Sequence, residues 1–331
     1  MAIAPLSVVV TRSGLPESAH AVHVAVTDTA GHLVASAGDA QRKAWWRSAA
    51  KPVQAVCCVD DGAADAAGFD DACLALACAS HSGEDVHTAV AARMLAGCGC
   101  VEDDLACGPH PSLSASVARA HVRAGTRQTP IHNNCSGKHA AMLALCAHRG
   151  WPKVGYEDAA HPAQQRIVDE LVRQCGTDDI DVGTDNCRAR TFRVALSGMA
   201  RAWAQVGASS SPGLTRLRRA MWAHPHLVAG TERSCTTFLQ AAPERLLVKV
   251  GAEGVYCAAL PALGVGVALK VESGDGRAAT VALAAVVRAL DERHGSTLPH
   301  EAWTALASPT LKDTRGEPVG TVISVGDLVF V

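Results

Sequence analysis

The segment WWRSAAKPVQAV contains a serine and a lysine whose spacing could support nucleophilic chemistry. Ser48 and Lys51 are three residues apart, so a helix would place their side chains on the same face. Pro52 is tolerated in a first helical turn, which predicts a helix that begins near Ser48 and gives its hydroxyl a helix N-terminus. A desolvated, neutral Lys51 could take the proton of that serine. Taken alone, this short and common motif more often marks a capping serine beside a surface lysine.

Other serine, lysine and acidic residues stand at the ends of apolar runs. In LACASHSGED, Ser80, His81 and Ser82 precede a predicted helix, where serines are either caps or catalytic groups. Lys270 ends the apolar strand VGVALKV, where a buried lysine must be neutral or paired, although an edge lysine that limits aggregation is the alternative. Glu253 lies in a tight, glycine-bounded turn and is either functional or a surface carboxylate.

The segment TPIHNNCSGKHAAML concentrates functional side chains before another predicted helix. Cys135, Lys138 and His139 would lie within one turn of each other, and Cys187 in GTDNCRART is a candidate partner. Thiolate and imidazole are good zinc ligands, whereas lysine coordinates only when neutral. The asparagines here could instead form a turn, with Cys135 in the core.

The elements that position these residues are predicted to be strands at both ends of the chain and helices between them. HAVHVAVTD and HLVASAG alternate around the turn signal TAG, and RLLVKVG, VYCAALP, GVGVALKVE and GTVISVGDLVFV are similar. Helical periodicity fills the middle and recurs in RAATVALAAVVRALDERHG. We therefore expect an α+β fold with one antiparallel sheet, formed by approximately 1–75 and 240–331, and a mainly helical part, approximately 76–239.

Composition limits the classes of function. The chain of 331 residues is 48% hydrophobic and carries a formal net charge of −2, without a basic run that would attract nucleic acid or anionic lipid. The N-terminus lacks the features of a signal peptide, and no apolar run is long enough for a membrane helix. We expect a soluble, cytoplasmic protein whose 13 cysteines are mostly reduced core residues.

Together, these segments resemble the rhizobial-type (class 3, thermolabile) L-asparaginases along nearly the whole chain. The resemblance is carried by the order and spacing of RSAAKPVQ, ASHSGED, HNNCSGKHAAML, TDNC, HPHLVAGTER, GAEGVYCAALP and ALKVESGDGRA. The resemblance implies one asparaginase unit over residues 1–331, with a fold similar to serine β-lactamases and glutaminases. It also implies homodimers that hydrolyse L-asparagine to L-aspartate and ammonia.

The resemblance further implies roles for particular residues. Ser48 with Lys51 would form one catalytic serine–lysine tandem, and Ser80 with Lys270 a second. Zinc would be an accessory, held by the three residues Cys135, Lys138 and Cys187. The family's substrate pocket is matched by Arg47, His139 and Asp185.

Two departures and several alternatives stay open. Asn186 stands where a glycine is expected and Arg188 follows the cysteine, which could alter the metal site or the pocket. A glutaminase, a β-lactam hydrolase or another serine–lysine amidase would use the same apparatus, and one additional methylene in the substrate changes binding by only about 1–3 kcal/mol. The cysteine content also fits a non-catalytic zinc- or thiol-binding protein.

Overall fold

The β-rich segments of the chain form an antiparallel sheet in the computed structural model, which describes residues 3–331. Along the sheet the order is β10-β11-β1-β2-β9-β8-β7, and β3 pairs with both β2 and β12. The strands, numbered along the chain, are β1 Leu6–Arg12, β2 Leu15–Asp28, β3 Leu33–Ala37, β4 Lys43–Trp45, β5 Asp181–Thr184, β6 Arg190–Ala195, β7 Leu247–Val250, β8 Val255–Leu260, β9 Val265–Val271, β10 Thr310–Lys312, β11 Pro318–Val325 and β12 Val329–Phe330.

The helices occupy mainly the middle of the sequence. They are α1 Lys51–Asp60, α2 Ala63–Ala66, α3 Asp71–Ala77, α4 Asp85–Gly97, α5 Ala115–Ala124, α6 Ser136–Arg149, α7 Pro162–Cys175, α8 Leu196–Ala208, α9 Pro212–Ala223, α10 Pro225–Val228, α11 Ser234–Ala241, α12 Gly276–Arg293 and α13 Thr304–Ala307. A 3₁₀ helix, Arg47–Ala50, immediately precedes α1. Among the residues that the structure describes, no helix is long and apolar enough to cross a membrane.

The chain divides into two units. The sheet unit contains the chain up to Ala49 together with Val194–Ala208 and Arg245–Val331, and the helical unit contains Ala50–Arg193 and Ser209–Glu244. Residues 50–75, which we expected with the sheet, therefore form α1 to α3 of the helical unit, because they build a helical core of their own. Conversely, α8 belongs with the sheet, since it packs on β2, β8 and β9.

Burial in the sheet unit shows why the last hundred residues carry such continuous apolar runs. Every residue of β8 is buried, and so is every residue of β9 except Lys270. This is the pattern of strands that are covered on both faces. At Gly266 in β9, an added Cβ would lie 2.0 Å from the Ala200 carbonyl oxygen, so α8 reaches the sheet only because this position is glycine.

In the helical unit, α1 and α6 form the centre. All residues of α1 except Asp60 are buried, and α1 packs against α6, α7 and α9. The start of α6 lies against the end of α3, because an added Cβ at Gly137 would come within 2.3 Å of the Leu76 carbonyl oxygen. This close approach brings the segment around Cys135 beside the segment that ends in Ser80.

The sequence-based elements are confirmed in type. The predicted hairpin is formed by β2 and β3, and the predicted C-terminal helix is α12. The terminal strands share one antiparallel sheet, so the α+β fold class is confirmed. The helix predicted near Ser48 begins as the 3₁₀ turn, and α1 follows with Pro52 in its first turn.

Candidate active site

Lys51 and Ser80 meet in the interior of the helical unit. Lys51, the first residue of α1, is 1% exposed, and Ser80, just beyond the end of α3, is 3% exposed. The Lys51 Nζ atom lies 2.9 Å from Ser80 Oγ and 3.3 Å from the Asn134 carbonyl oxygen, and it also donates to the Ala79 carbonyl oxygen. A lysine and a serine separated by 29 positions therefore form one hydrogen-bonded pair.

The three oxygen partners of Lys51 allow two protonation states. An ammonium group can donate to all three oxygens. A neutral amine has two N–H groups, which match the two carbonyl oxygens, and its lone pair is then left for a serine O–H. Proton exchange between Lys51 and a serine hydroxyl therefore needs no rearrangement of the lysine side chain.

Ser48 and Arg47 lie in the 3₁₀ helix that leads into Lys51. Ser48 is the second residue of this helix, three positions before Lys51 in the sequence. Arg47 has a left-handed backbone with φ 53°, an uncommon conformation for a residue other than glycine. The buried Trp203 ring donates to the Ala49 carbonyl oxygen at 3.1 Å and holds the turn after Ser48 in place within the sheet unit.

Lys270 and Lys249 are two lysines of the sheet unit with different surroundings. Lys270, in β9, is partly exposed and donates to the Glu253 carbonyl oxygen at 2.7 Å. Burial lowers the pKa of Lys270. Lys249, in β7, is 0% exposed and donates to the Val250 carbonyl oxygen at 2.9 Å. Because Ser80 belongs to the helical unit and Lys270 to the sheet unit, their pairing stays a prediction.

Cys135, Lys138 and Cys187 come together in the helical unit, all at most 4% exposed. The Lys138 Nζ atom lies 3.1 Å from Cys187 Sγ. A hydrogen bond from Cys135 and the charge of Lys138 lower the pKa of Cys187 well below its ordinary value. The bond to Cys187, together with burial, raises the pKa of Cys135 to about 12. Burial by itself lowers the pKa of Lys138, but the nearby Cys187, Cys135 and Asp185 together raise it above its ordinary value.

This donor set fits a zinc ion. Two sulfurs and an amine nitrogen are ligands that zinc accepts, and one thiol is already poised to lose its proton. A metal would displace the protons that Cys135 and Lys138 hold here, so its affinity would rise with pH. Cys107 is a further thiol of this neighbourhood: burial raises its pKa, and the nearby Cys135 and Cys187 raise it further. From the sequence, most cysteines were expected to be core residues, and only the fold associates Cys107 with Cys135 and Cys187.

His139 follows Lys138 in α6 and is fully buried. Tyr156 Oη accepts the Ala106 N–H at 3.0 Å, and His139 Nδ1 at 2.5 Å is the acceptor that the described residues offer to its buried hydroxyl proton, so we assign Tyr156 as the donor of that bond. The proton of the neutral ring then resides on Nε2, which has no hydrogen-bond partner among residues 3–331. Burial, reinforced by Lys138, lowers the pKa of His139 to about 3, so the imidazole is neutral. An unmet buried donor is suited to a ligand carbonyl or carboxylate.

Asp185 and its neighbours form the turn between β5 and β6. Asp185 Oδ1 accepts the Asn186 N–H at 2.8 Å, and Asn186 is exposed. Arg188, with φ 73°, pairs with Glu157 at 3.3 Å. The two departures noted in the sequence thus occupy a turn in which Cys187 itself is buried.

Two buried residues were not predicted from the sequence: Tyr156, beside His139, and Lys249, in the sheet unit. The hydroxyl of Tyr156 gave no motif signal. Lys249 could have been noticed as a lysine at the end of the apolar run RLLVKVG, the same signal that identified Lys270.

Comparison with known proteins identifies the family of the chain. One solved structure that resembles the chain is a β-lactamase (Mb2281c) from Mycobacterium bovis, with 12% sequence identity and a TM-score of 0.40; the match covers 82% of this chain and 94% of that one. Another is Mglu in its native form, with 16% sequence identity and a TM-score of 0.37; the match covers 82% of this chain and 64% of that one. None of the curated proteins compared with the chain matches it. The family model described as L-asparaginase II matches residues 8–324. The chain therefore belongs to the L-asparaginase II family.

Proposed function

We propose that this asparaginase-type amidohydrolase converts L-asparagine and water to L-aspartate and ammonia with serine–lysine chemistry. The observation that carries the proposal is the buried hydrogen bond between Lys51 and Ser80, directly beside the sequence that contains Ser48. No activated water or Ser-His-Asp arrangement is needed, because a neutral Lys51 can serve as the base.

Ser48 is the proposed nucleophile. Its Oγ forms a bond to the side-chain amide carbon of asparagine while its proton moves to Lys51, and backbone N–H groups of the 3₁₀ turn stabilise the oxyanion. The amide nitrogen then receives a proton, the C–N bond breaks and ammonia leaves an ester on Ser48. Water attacks that ester, which restores the serine hydroxyl and releases aspartate.

Ser80 is the proposed partner in proton transfer, because its hydroxyl lies 2.9 Å from the Lys51 amine. The resemblance assigns Lys270 as the second lysine, and the lowering of its pKa by burial supports that role. Lys249 is a second lysine of the sheet unit and is completely buried, so it is tested beside Lys270. Lys249→Met and Lys270→Met separate the two, because only loss of the functional lysine lowers kcat and shifts the acidic limb of its pH profile to higher pH.

The substrate's polar groups are assigned to three residues. Arg47 holds the α-carboxylate, Asp185 the α-ammonium, and the unmet Nε2–H of His139 donates to a substrate oxygen. Loss of any of these contacts should raise KM for asparagine more than it lowers kcat. Parallel assays with glutamine and a chromogenic β-lactam test the alternative substrates.

Zinc is the proposed accessory ion, held by Cys135, Lys138 and Cys187. When bound, it would supply positive charge that helps to hold the substrate. Cys187→Ala should remove one zinc equivalent and leave measurable ammonia release, whereas complete loss of turnover with normal folding would make the metal essential. We also propose a homodimer, on the basis of the family resemblance, which light scattering on purified protein tests directly.

The nucleophile is tested by Ser48→Ala and Ser80→Ala in an ammonia-release assay with L-asparagine. Ser48→Ala should abolish turnover and leave no acyl-enzyme in intact mass spectra. If Ser48→Ala stayed near the wild-type rate while Ser80→Ala was inactive, the roles would be reversed.

A further inference from the structure

A third polar cluster lies in the helical unit apart from the serine–lysine pair and the cysteine–lysine site. It consists of Glu84, the N-cap of α4, His87 in the first turn of α4, and His226 in α10. Each residue offers one metal-ligand atom, and these atoms all lie within 4.8 Å of one another. Two imidazoles and a carboxylate thus converge on one point.

The tautomer of His87 is fixed by its surroundings. Nε2 contacts the His226 carbonyl oxygen at 3.0 Å, and because a carbonyl only accepts, Nε2 carries the proton. The lone pair is therefore on Nδ1, which lies 3.9 Å from Glu84 Oε1. Metal-binding histidines are commonly oriented by such an N–H to carbonyl bond. Nδ1 also accepts the Glu84 N–H at 3.2 Å, a long hydrogen bond that a metal ion would replace.

The His87 ring cannot easily turn away. The His81 ring stacks on it with centroids 5.0 Å apart, and the His226 ring stacks on it at 5.4 Å. His87 itself is fully buried, so its orientation is set by the packing of the unit.

The Glu84 carboxylate is also held from outside the cluster. Thr231 donates its N–H to Oε1 at 2.9 Å and its hydroxyl to Oε2 at 2.8 Å. Gly230, with φ 108°, leaves space for this group, since an added Cβ would lie 2.4 Å from Oε1. An ionised carboxylate has about four lone-pair sites, so both Thr231 bonds can persist beside a metal ion.

His226 supplies the access route. Its Nε2 lies 3.2 Å from Glu84 Oε2, and its side chain is 41% exposed. A change of tautomer, which moves the proton to Nδ1, together with rotation of the exposed His226 ring out of its stacked position, would turn Nε2 from a hydrogen-bond donor into a ligand. Water could then complete the coordination on the exposed side.

We propose that Glu84, His87 and His226 bind a divalent cation of the zinc class, at a site separate from the cysteine–lysine cluster. Two nitrogens and one carboxylate favour zinc and its neighbours in the first transition row over magnesium or calcium. The site ties the start of α4 to α10, and the end of α10 already contacts the catalytic region: Ser80 N–H donates to Val228 O at 2.9 Å, and Ser82 Oγ donates to Ala229 O at 3.0 Å. The ion therefore restrains the segment that carries Ser80.

Zinc titration by calorimetry tests the proposal in the Cys187→Ala background, where the cysteine–lysine site is disabled. The chelator-stripped Cys187→Ala protein should bind one zinc equivalent. Adding His226→Gln, which keeps a donor for Glu84 but is a poor ligand, should weaken this binding at least tenfold. Adding His224→Gln, two residues away, should leave it unchanged.

Cobalt(II) spectra give a second readout that does not depend on a variant of the cluster. Cobalt in the Cys187→Ala protein should show d–d bands without the thiolate charge-transfer band of a sulfur site. Equal zinc affinity with and without His226→Gln, or a thiolate band in this background, would overturn the proposal. Ammonia release plays no part in either readout, so failure here is distinguishable from failure of the proposed catalytic function.

Discussion

Replacing Lys51 with methionine removes the proposed base while keeping a side chain of similar length. The side chain is 1% exposed and its Nζ satisfies the Ala79 and Asn134 carbonyl oxygens as well as Ser80 Oγ. Each buried acceptor that loses its donor lowers the free energy of unfolding by about 1–3 kcal/mol, so the two carbonyl groups together lower it by about 2–6 kcal/mol. Removal of a buried amine from the interior offsets part of this loss.

The effect on catalysis is expected in addition to the effect on folding and is measured separately. A general base contributes about 10²–10⁴-fold, which corresponds to about 2.7–5.4 kcal/mol in the activation free energy. We expect Lys51→Met to lower kcat by at least that lower bound, about 100-fold, in a coupled ammonia assay with L-asparagine. Circular dichroism and thermal unfolding establish that the variant is folded under assay conditions.

Lys51→Arg is the matched control, because arginine keeps the charge and the donors but cannot act as a base. If Lys51 is the base, Lys51→Arg falls as far as Lys51→Met. If a folded Lys51→Arg retained a large part of wild-type kcat, the lysine would act only as a fixed cation, and our reasoning about its neutral form would be refuted.

Three further predictions concern other parts of the chain. Tyr156→Phe leaves the Ala106 N–H unpaired and removes the hydrogen bond that fixes the His139 tautomer. We expect KM for asparagine to rise several-fold and the free energy of unfolding to fall by about 1–3 kcal/mol. An unchanged KM in steady-state kinetics would show that His139 does not bind substrate. Gly137→Ala should lower the unfolding temperature by several degrees in calorimetry, since its Cβ would meet the Leu76 carbonyl oxygen at 2.3 Å, and an unaltered Tm would contradict this close packing. The hydrogen bond from Arg93 lowers the pKa of Asp70 from 3.8 to about 2, so its stabilising contribution is complete above pH 3.8 and is lost as pH falls towards 2. Unfolding of Asp70→Asn should therefore depend less on pH in that interval than unfolding of the wild type; equal slopes would argue against the pair.

Local sequence patterns predicted those parts of the fold that local physics determines. The three-to-four-residue period of α12 and the alternation of β2 and β3 follow from which faces are buried, and α7 begins at Pro162 and ends before Gly176, which has φ 70°. These signals need no knowledge of distant residues.

Long-range packing determined what the sequence left open. Periodicity identifies α8 as a helix but does not reveal that it packs on the sheet, a placement made possible by Gly266 at the contact. Likewise, nothing near Lys51 predicts that its amine lies beside Ser80, because the two are joined by the packing of α1, α3 and α6.

The candidate site shows the same division. The spacing in SGKH places Lys138 and His139 after Cys135, and the order of motifs associated them with Cys187, which the structure brings to within 3.1 Å of Lys138. The Glu84, His87 and His226 cluster was missed, since its third member is 139 positions from His87.

The most direct test of the central claim is ammonia release from L-asparagine by purified wild-type protein and by Ser48→Ala, each with and without a chelator. We expect ammonia release by the wild-type protein that survives chelation, and no release by folded Ser48→Ala. The absence of release from the wild-type protein under both conditions, or undiminished release from Ser48→Ala, would contradict it.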